Sequence, residues 1–246
     1  MAKKGGICGA IGCLTLVALV GGFGWFIYTM VFTNTVAKWM GEETYKLKGD
    51  VTHFDPINGV AEVQEKVGPN ATLVELRIMG ARADGTLDLN ATYVPGPRVD
   101  YQFERKLDKA PQGKTDPPIG AGRTPSSVWV EQVRVSVSRP GQQRHVSRRS
   151  GNSSSSYNYT MEGMDIDRDS RLADPSVALT LKPTVKEMWA IAQKAGAPSN
   201  AVAQITYRGS DADFNIPGVL MLQWEDGKLD EFFLKDEVKD KLGIKH

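Results

Sequence analysis

Asp165, Asp167 and Asp169 alternate along the run Asp165-Ile166-Asp167-Arg168-Asp169, and carboxylates spaced this way are the first ligands of a calcium loop. Such a loop also needs a glycine at its turn and a bidentate glutamate to close it. Ser170 and Ser176 occupy those two positions, and Arg168 brings a positive charge into the middle. The three aspartates are therefore the chain's candidate metal set, but a solvated acidic loop is the simpler reading of them. No metal ion and no cofactor is expected.

Gln112-Gly113-Lys114-Thr115 has the ending of a phosphate-binding loop, yet Asp108 stands where its leading glycine belongs. The three histidines, His53, His145 and His246, fall in expected loops or at the end of the chain, and no serine sits in a nucleophile elbow. These patterns give no grounds for hydrolase or phosphoryl-transfer chemistry. The expected function is a non-catalytic binding module; an accessory subunit of a larger membrane complex, its glycine-rich helix packed on partner helices, is the alternative, and an enzyme with a dispersed site is the remote one.

Arginines form the one strongly polarised group. Between residues 123 and 149 there are six, Arg123, Arg134, Arg139, Arg144, Arg148 and Arg149, against the single acid Glu131. The planar guanidinium fork matches carboxylate and phosphate groups. Arg134, Arg139, Arg144, Arg148 and Arg149 are thus the candidate docking patch for anionic headgroups, a glycan or an acidic protein. Neutralisation by the acidic stretch from Glu162 to Asp174 is the competing reading.

The whole chain carries 30 Lys plus Arg and 29 Asp plus Glu, so no global field recruits nucleic acid. Both cysteines, Cys8 and Cys13, precede residue 14 and leave the remainder free of disulfides. That usage fits a bacterial protein facing the periplasm better than a secreted eukaryotic domain.

These candidates need elements to position them, beginning with the anchor. Ile7 to Phe32 is 26 residues without a charge, long enough as a helix to cross roughly 30 Å of hydrocarbon. It exceeds the apolar core of a cleaved signal peptide, so a retained single-pass anchor is expected. The N-terminus is expected in the cytoplasm and the rest in the periplasm, although Lys38, Lys46 and Lys48 nearly balance Lys3 and Lys4. Gly5 and Gly9, and Ala18 and Gly22, are four apart, the spacing that lets two membrane helices approach. The expected partners are the bilayer and a protein or second copy packed on that helix.

Beyond a connector over residues 34–50, the chain reads as α+β, with a first unit over 51–140, a charged and serine-rich loop region over 141–174 and a second unit over 175–246. In the first unit a helix from Ile57 ends at Gly68-Pro69, and strands follow over 71–78, 86–94 and 99–106. Residues 128–138 alternate apolar and polar, with a break at Glu131-Gln132 that implies a bulge. In the second unit Pro183-Thr184 opens a helix carrying Met188 and Trp189, with strands over 202–207, 219–224 and 229–235. The repeated order implies a tandem duplication of αβββ units packing helices on antiparallel sheet. Ser147 to Tyr159 has no apolar period and reads as a mobile loop.

Reversing Arg144, Arg148 and Arg149 to glutamate is expected to weaken recovery of a bound partner in an affinity pull-down; undiminished recovery would remove these three from the patch.

Overall fold

Alternation of apolar and polar residues dominates this chain, and it builds one long antiparallel sheet with a single apolar face. The computed structural model describes residues 42–93, 96–115, 127–150, 153–230 and 233–244. In chain order the elements are β1 (Glu43–Lys46), α1 (Gly59–Val67), β2 (Thr72–Ala81), β3 (Arg98–Lys106), β4 (Val128–Val137), β5 (Gln143–Ser150), β6 (Ser153–Thr160) and β7 (Gly163–Ala173). They continue as α2 (Val185–Lys194), β8 (Ala203–Arg208), β9 (Asp211–Ile216), β10 (Leu220–Glu225), β11 (Lys228–Leu229) and α3 (Asp236–Leu242). The protein is thus an α+β protein, mostly antiparallel sheet with few helices. The expected anchor, with Gly5, Gly9, Ala18 and Gly22, lies outside the described residues. Among those that are described, no helix is long and apolar enough to cross a membrane.

Two compact units divide the chain: Thr44–Pro140 with Glu162–His246, and Gly141–Met161 with Met1–Glu43. In the larger, nine strands run in the order β1-β7-β4-β3-β2-β8-β9-β10-β11. Its centre is the antiparallel pair β2–β8, where Leu76 faces Tyr207 and Ile78 faces Ile205. On one face, Tyr101, Phe103, Val133, Val135, Phe214 and Leu222 are fully buried. They form one core with Val63 and Val67 of α1 and Met188, Trp189 and Ala192 of α2. Trp189 meets the Phe214 ring edge-on at 5.3 Å and 90°, the geometry aromatic quadrupoles prefer.

The entrances of α1 and α2 are each held from the sheet by a tyrosine hydroxyl. Tyr101 donates to the Pro56 carbonyl at 2.8 Å, and Tyr207 to the Pro183 carbonyl at 2.9 Å. The approach before α1 is close, since a Cβ on Gly59 would stand 2.8 Å from the Tyr101 hydroxyl. Asp55 supports the same entrance by accepting from the Ile57 and Asn58 amides. At α2 the work is done by a capping box between Thr184 and Glu187. The exposed lysines of α2 and α3 are reciprocal: Lys194 donates to the Leu242 carbonyl and Lys241 to the Ala195 carbonyl, each satisfying the other helix's free end.

Several expected elements change. Of the expected strand over 86–94, the described residues 86–93 form none beyond an isolated bridge from Leu87 to Phe54, although Leu87 and Leu89 are fully buried as their alternation implies. Asp84 and Asp88 take the Thr86 and Asn90 amides at 2.9 Å and 3.0 Å, which withdraws those donors from a ladder. Burial pushes the Asp84 carboxyl up, but the hydrogen bonds from Thr86 outweigh it and hold the group below its ordinary range. Strand β9 is additional to the expected strands, and of residues 229–235 Leu229 alone, the end of β11, is strand among the described positions, with α3 following. The expected bulge at Glu131-Gln132 is absent, since β4 runs without a register shift against β3 and β7. The irregularities fall in β2, between Leu73 and Glu75 and between Met79 and Ala81. At Gln132 the alternation breaks because this end of the sheet is covered on its second face as well. The crossover from β7 to α2 passes here, donating from Ser176 to Glu104 and from Leu179 to the Leu73 carbonyl.

The serine-rich segment expected as a mobile loop is a hairpin, β5 paired with β6 from Gln143↔Thr160 to Ser150↔Ser153. Its ladder needs backbone groups alone, so a missing apolar period did not exclude it.

Burial raises the Tyr101 hydroxyl well above its ordinary value, with Asp55 and Glu62 adding to the shift. An unfolded tyrosine ionises near about pH 10, so this contribution to stability is fully present below that pH and is lost above it, as the unfolded state sheds its proton first. Tyr101→Phe is expected to cost about 1 kcal/mol at neutral pH and to make the alkaline fall shallower. Urea unfolding measured from neutral pH to beyond pH 10 checks both.

Candidate functional site

The same alternation that fills the core puts charges on the sheet's other face. Registers align Ser136, Asp100, Arg77, Thr206 and Asp213 in one row across β4, β3, β2, β8 and β9. In the adjacent row stand Asp167, Arg134, Gln102, Glu75 and Arg208, running from β7 to β8. Where the rows cross β2, β3 and β4 the surface sinks into a concavity of ≈ 390 Å³, lined by Glu75, Arg77, Arg98, Asp100, Gln102 and Arg134 among others.

Both carboxylates in this concavity are engaged. Glu75 is shared between Arg77 on its own strand and Arg208 across the β2–β8 seam, the latter at 3.5 Å. Asp100 pairs with Arg98 at 2.8 Å and accepts from the Ser136 hydroxyl at 2.7 Å. Arg134 differs, for its guanidinium donates to the neutral Gln132 amide at 2.8 Å. The lining therefore holds three arginines, Arg77, Arg98 and Arg134, against two acids already committed. This arrangement can receive one carboxylate in the fork of Arg134, with the Gln102 amide beside it. A dianion would meet the repulsion of Glu75 and Asp100.

The sequence-based candidates are distributed as follows. Asp165, Asp167 and Asp169 lie on β7, a strand and not a loop. They face Ser136, Arg134 and Gln132, strung roughly 7 Å apart along one face where a calcium loop would wrap them round a centre. Asp165 is buried, while Asp167 and Asp169 are exposed. Among the described residues no group of three or more His, Cys, Asp or Glu is placed to hold a metal ion. Of the arginines, Arg134 is in the concavity and Arg139 follows β4, while Arg144, Arg148 and Arg149 are on β5 of the hairpin. The five thus belong to two units, two on the larger and three on the smaller. His53 is exposed beside Asp50 and Thr52, and His145 beside Asn158; His246 lies outside the described residues.

Sequence reasoning missed Glu75, Arg77, Arg98, Asp100, Gln102 and Ser136. Their signal was present, as polar positions within β2 and β3, but one strand's alternation does not say which residues of another strand lie beside it. No family model matches the chain, nor does any curated protein or solved structure.

The Glu75–Arg208 pair crosses the seam at the solvent face, where screening leaves little net energy. A double-mutant cycle of Glu75→Ala and Arg208→Ala, read by chemical denaturation, is expected to give a coupling of about 0.5 kcal/mol.

Proposed function

We propose that this chain is a single-pass membrane protein whose uncharged stretch from Ile7 to Phe32 anchors a non-catalytic binding module on the periplasmic side of a bacterial inner membrane. The module is a tandem duplication, α1-β2-β3-β4 and α2-β8-β9-β10, with the two copies sharing one sheet through β2 and β8. Its task is to hold a protein partner against the polar sheet face.

One observation carries this reading: both helices that cover the sheet lie on its apolar side, and the opposite side carries a concavity lined by paired and partly paired charges. A water-facing, concave array of arginines and carboxylates suits recognition of a complementary polar surface. The repeated order of elements and the tyrosine-to-proline tether at the entrances of α1 and α2 support the duplication.

A second reading, an accessory subunit of a larger membrane complex, has its own support. Val219, Met221 and Phe233 are 54%, 51% and 65% exposed, and they border a groove of ≈ 370 Å³ with Leu234 and Val238. Apolar side chains gathered in this way are what subunit contacts bury.

A photoactivatable side chain at Gln102 is expected to capture one partner in native membranes, with capture falling by about tenfold or more in Arg134→Glu. The same side chain at Glu65 on α1 reports background. Equal capture from both positions sinks the polar-face reading, and capture from Met221 alone favours the subunit reading.

A further inference from the structure

The hairpin β5–β6 has a charge and a position that the sheet face does not. Between Gly141 and Met161 the chain holds Arg144, Arg148, Arg149 and His145 and no Asp or Glu. Along the ladder Arg144 pairs with Tyr159 and Arg148 with Ser155, and Val146 pairs with Tyr157 between them. Tyr159 and Met161 are buried, with Val146 and Tyr157 packed against them. Four side chains are a small cluster, and a two-stranded ribbon is marginal in water without a further surface to lie on.

Position comes from one hydrogen bond. The Tyr157 hydroxyl donates to the Glu42 carboxylate at 2.6 Å. Glu42 is ten residues beyond Phe32, the end of the apolar stretch. Ten residues reach at most about 36 Å when fully extended and about 15 Å as a helix. Each strand of the hairpin is eight residues, or about 27 Å. A ribbon of that length, fixed to Glu42, lies within reach of the headgroups that flank the anchor. Arginine recognises phosphodiester oxygens in its fork, and tyrosine is at home at a membrane interface.

We infer that the β5–β6 hairpin is a juxtamembrane arm that binds anionic lipid headgroups through Arg144, Arg148 and Arg149. The inference rests on the anchored reading above, and it assigns the hairpin to lipid while the sheet face is left for protein. Lipid is favoured over an acidic protein by the short chain between Phe32 and Glu42, which keeps the ribbon near the bilayer whatever else is present.

The test uses the purified full chain in vesicles of phosphatidylcholine, alone or with about 30% phosphatidylglycerol, so that no other protein is present. Backbone amide exchange is followed across residues 143–150 and 153–160. With phosphatidylglycerol the exchange is expected to slow by about tenfold or more, since each of three arginines gains from a charged surface. The slowing is expected to vanish at about 1 M salt, where the Debye length falls to roughly 3 Å. It is expected to be absent in the R144E/R148E/R149E variant, whose nine-stranded sheet must exchange as in the unaltered chain. Equal exchange in the two lipids, or slowing that persists in the variant or in salt, overturns the inference. An alkaline carbonate wash separates the two claims: a chain that washes off the vesicles overturns the anchored reading. In that case the hairpin inference is decided by whether the same chain floats with phosphatidylglycerol vesicles at low salt, and failure to float overturns it as well.

Discussion

The backbone ladder between β2 and β8 is the interaction on which the rest of the larger unit depends. It joins β1, β7, β4 and β3 on one side to β9, β10 and β11 on the other. A single apolar face then spans both halves and buries the apolar sides of α1 and α2 in one core. Each half alone is small for an independent core. At the seam, Leu76 lies between Tyr101 and Tyr207 in one row of the sheet. Both tyrosines reach outward from there to a proline carbonyl at the start of a helix. The centre of the sheet therefore fixes where the helices begin as well as which strands are neighbours.

How far this arrangement can be read from residues alone depends on the kind of signal. Periodicity is local, so α1, α2, β2, β3, β4, β8 and β10 are legible within a few residues. The αβββ order of each half is legible too, but with the wrong members. Leu87 and Leu89 alternate as a strand would and are buried as a strand's would be, while Asp84 and Asp88 divert the backbone. Strand β9 is not among the expected strands, although Asp211, Asp213 and Asn215 alternate with Ala212, Phe214 and Ile216, which are all buried. The hairpin was hidden for a different reason: its apolar side chains are few, Val146, Tyr157, Tyr159 and Met161, and too sparse among serines and arginines to set a period. The concavity was not legible at all, because it is a property of register across three strands, and register follows from pairings that no single stretch encodes.

The two surfaces divide the chain's charge by type. On the sheet, acids and arginines stand beside one another and largely satisfy one another, leaving Arg134 with a neutral partner. On the hairpin the charge is of one sign. Alternation allows this division, because every residue spent on the core leaves its neighbour free to take any polar identity without disturbing the packing. The face of the sheet can thus change its chemistry while the core is held constant.

The order in which the chain leaves the ribosome gives the β2–β8 ladder a further meaning. Strand β2 is complete at Ala81, and its second partner does not begin until Ala203. For the time needed to make about 120 intervening residues, at a synthesis rate of roughly 5–20 residues per second, β2 is an open edge next to an unfilled core. An unpaired edge is a template for whatever strand arrives first. The strand that fits it best is β8, and in a polysome a neighbouring chain can present one before the chain's own is made. Exchange of the segment from α2 onward between two chains would preserve every pairing described here. The crossover between β7 and α2 is then the hinge on which a monomer and an exchanged dimer differ.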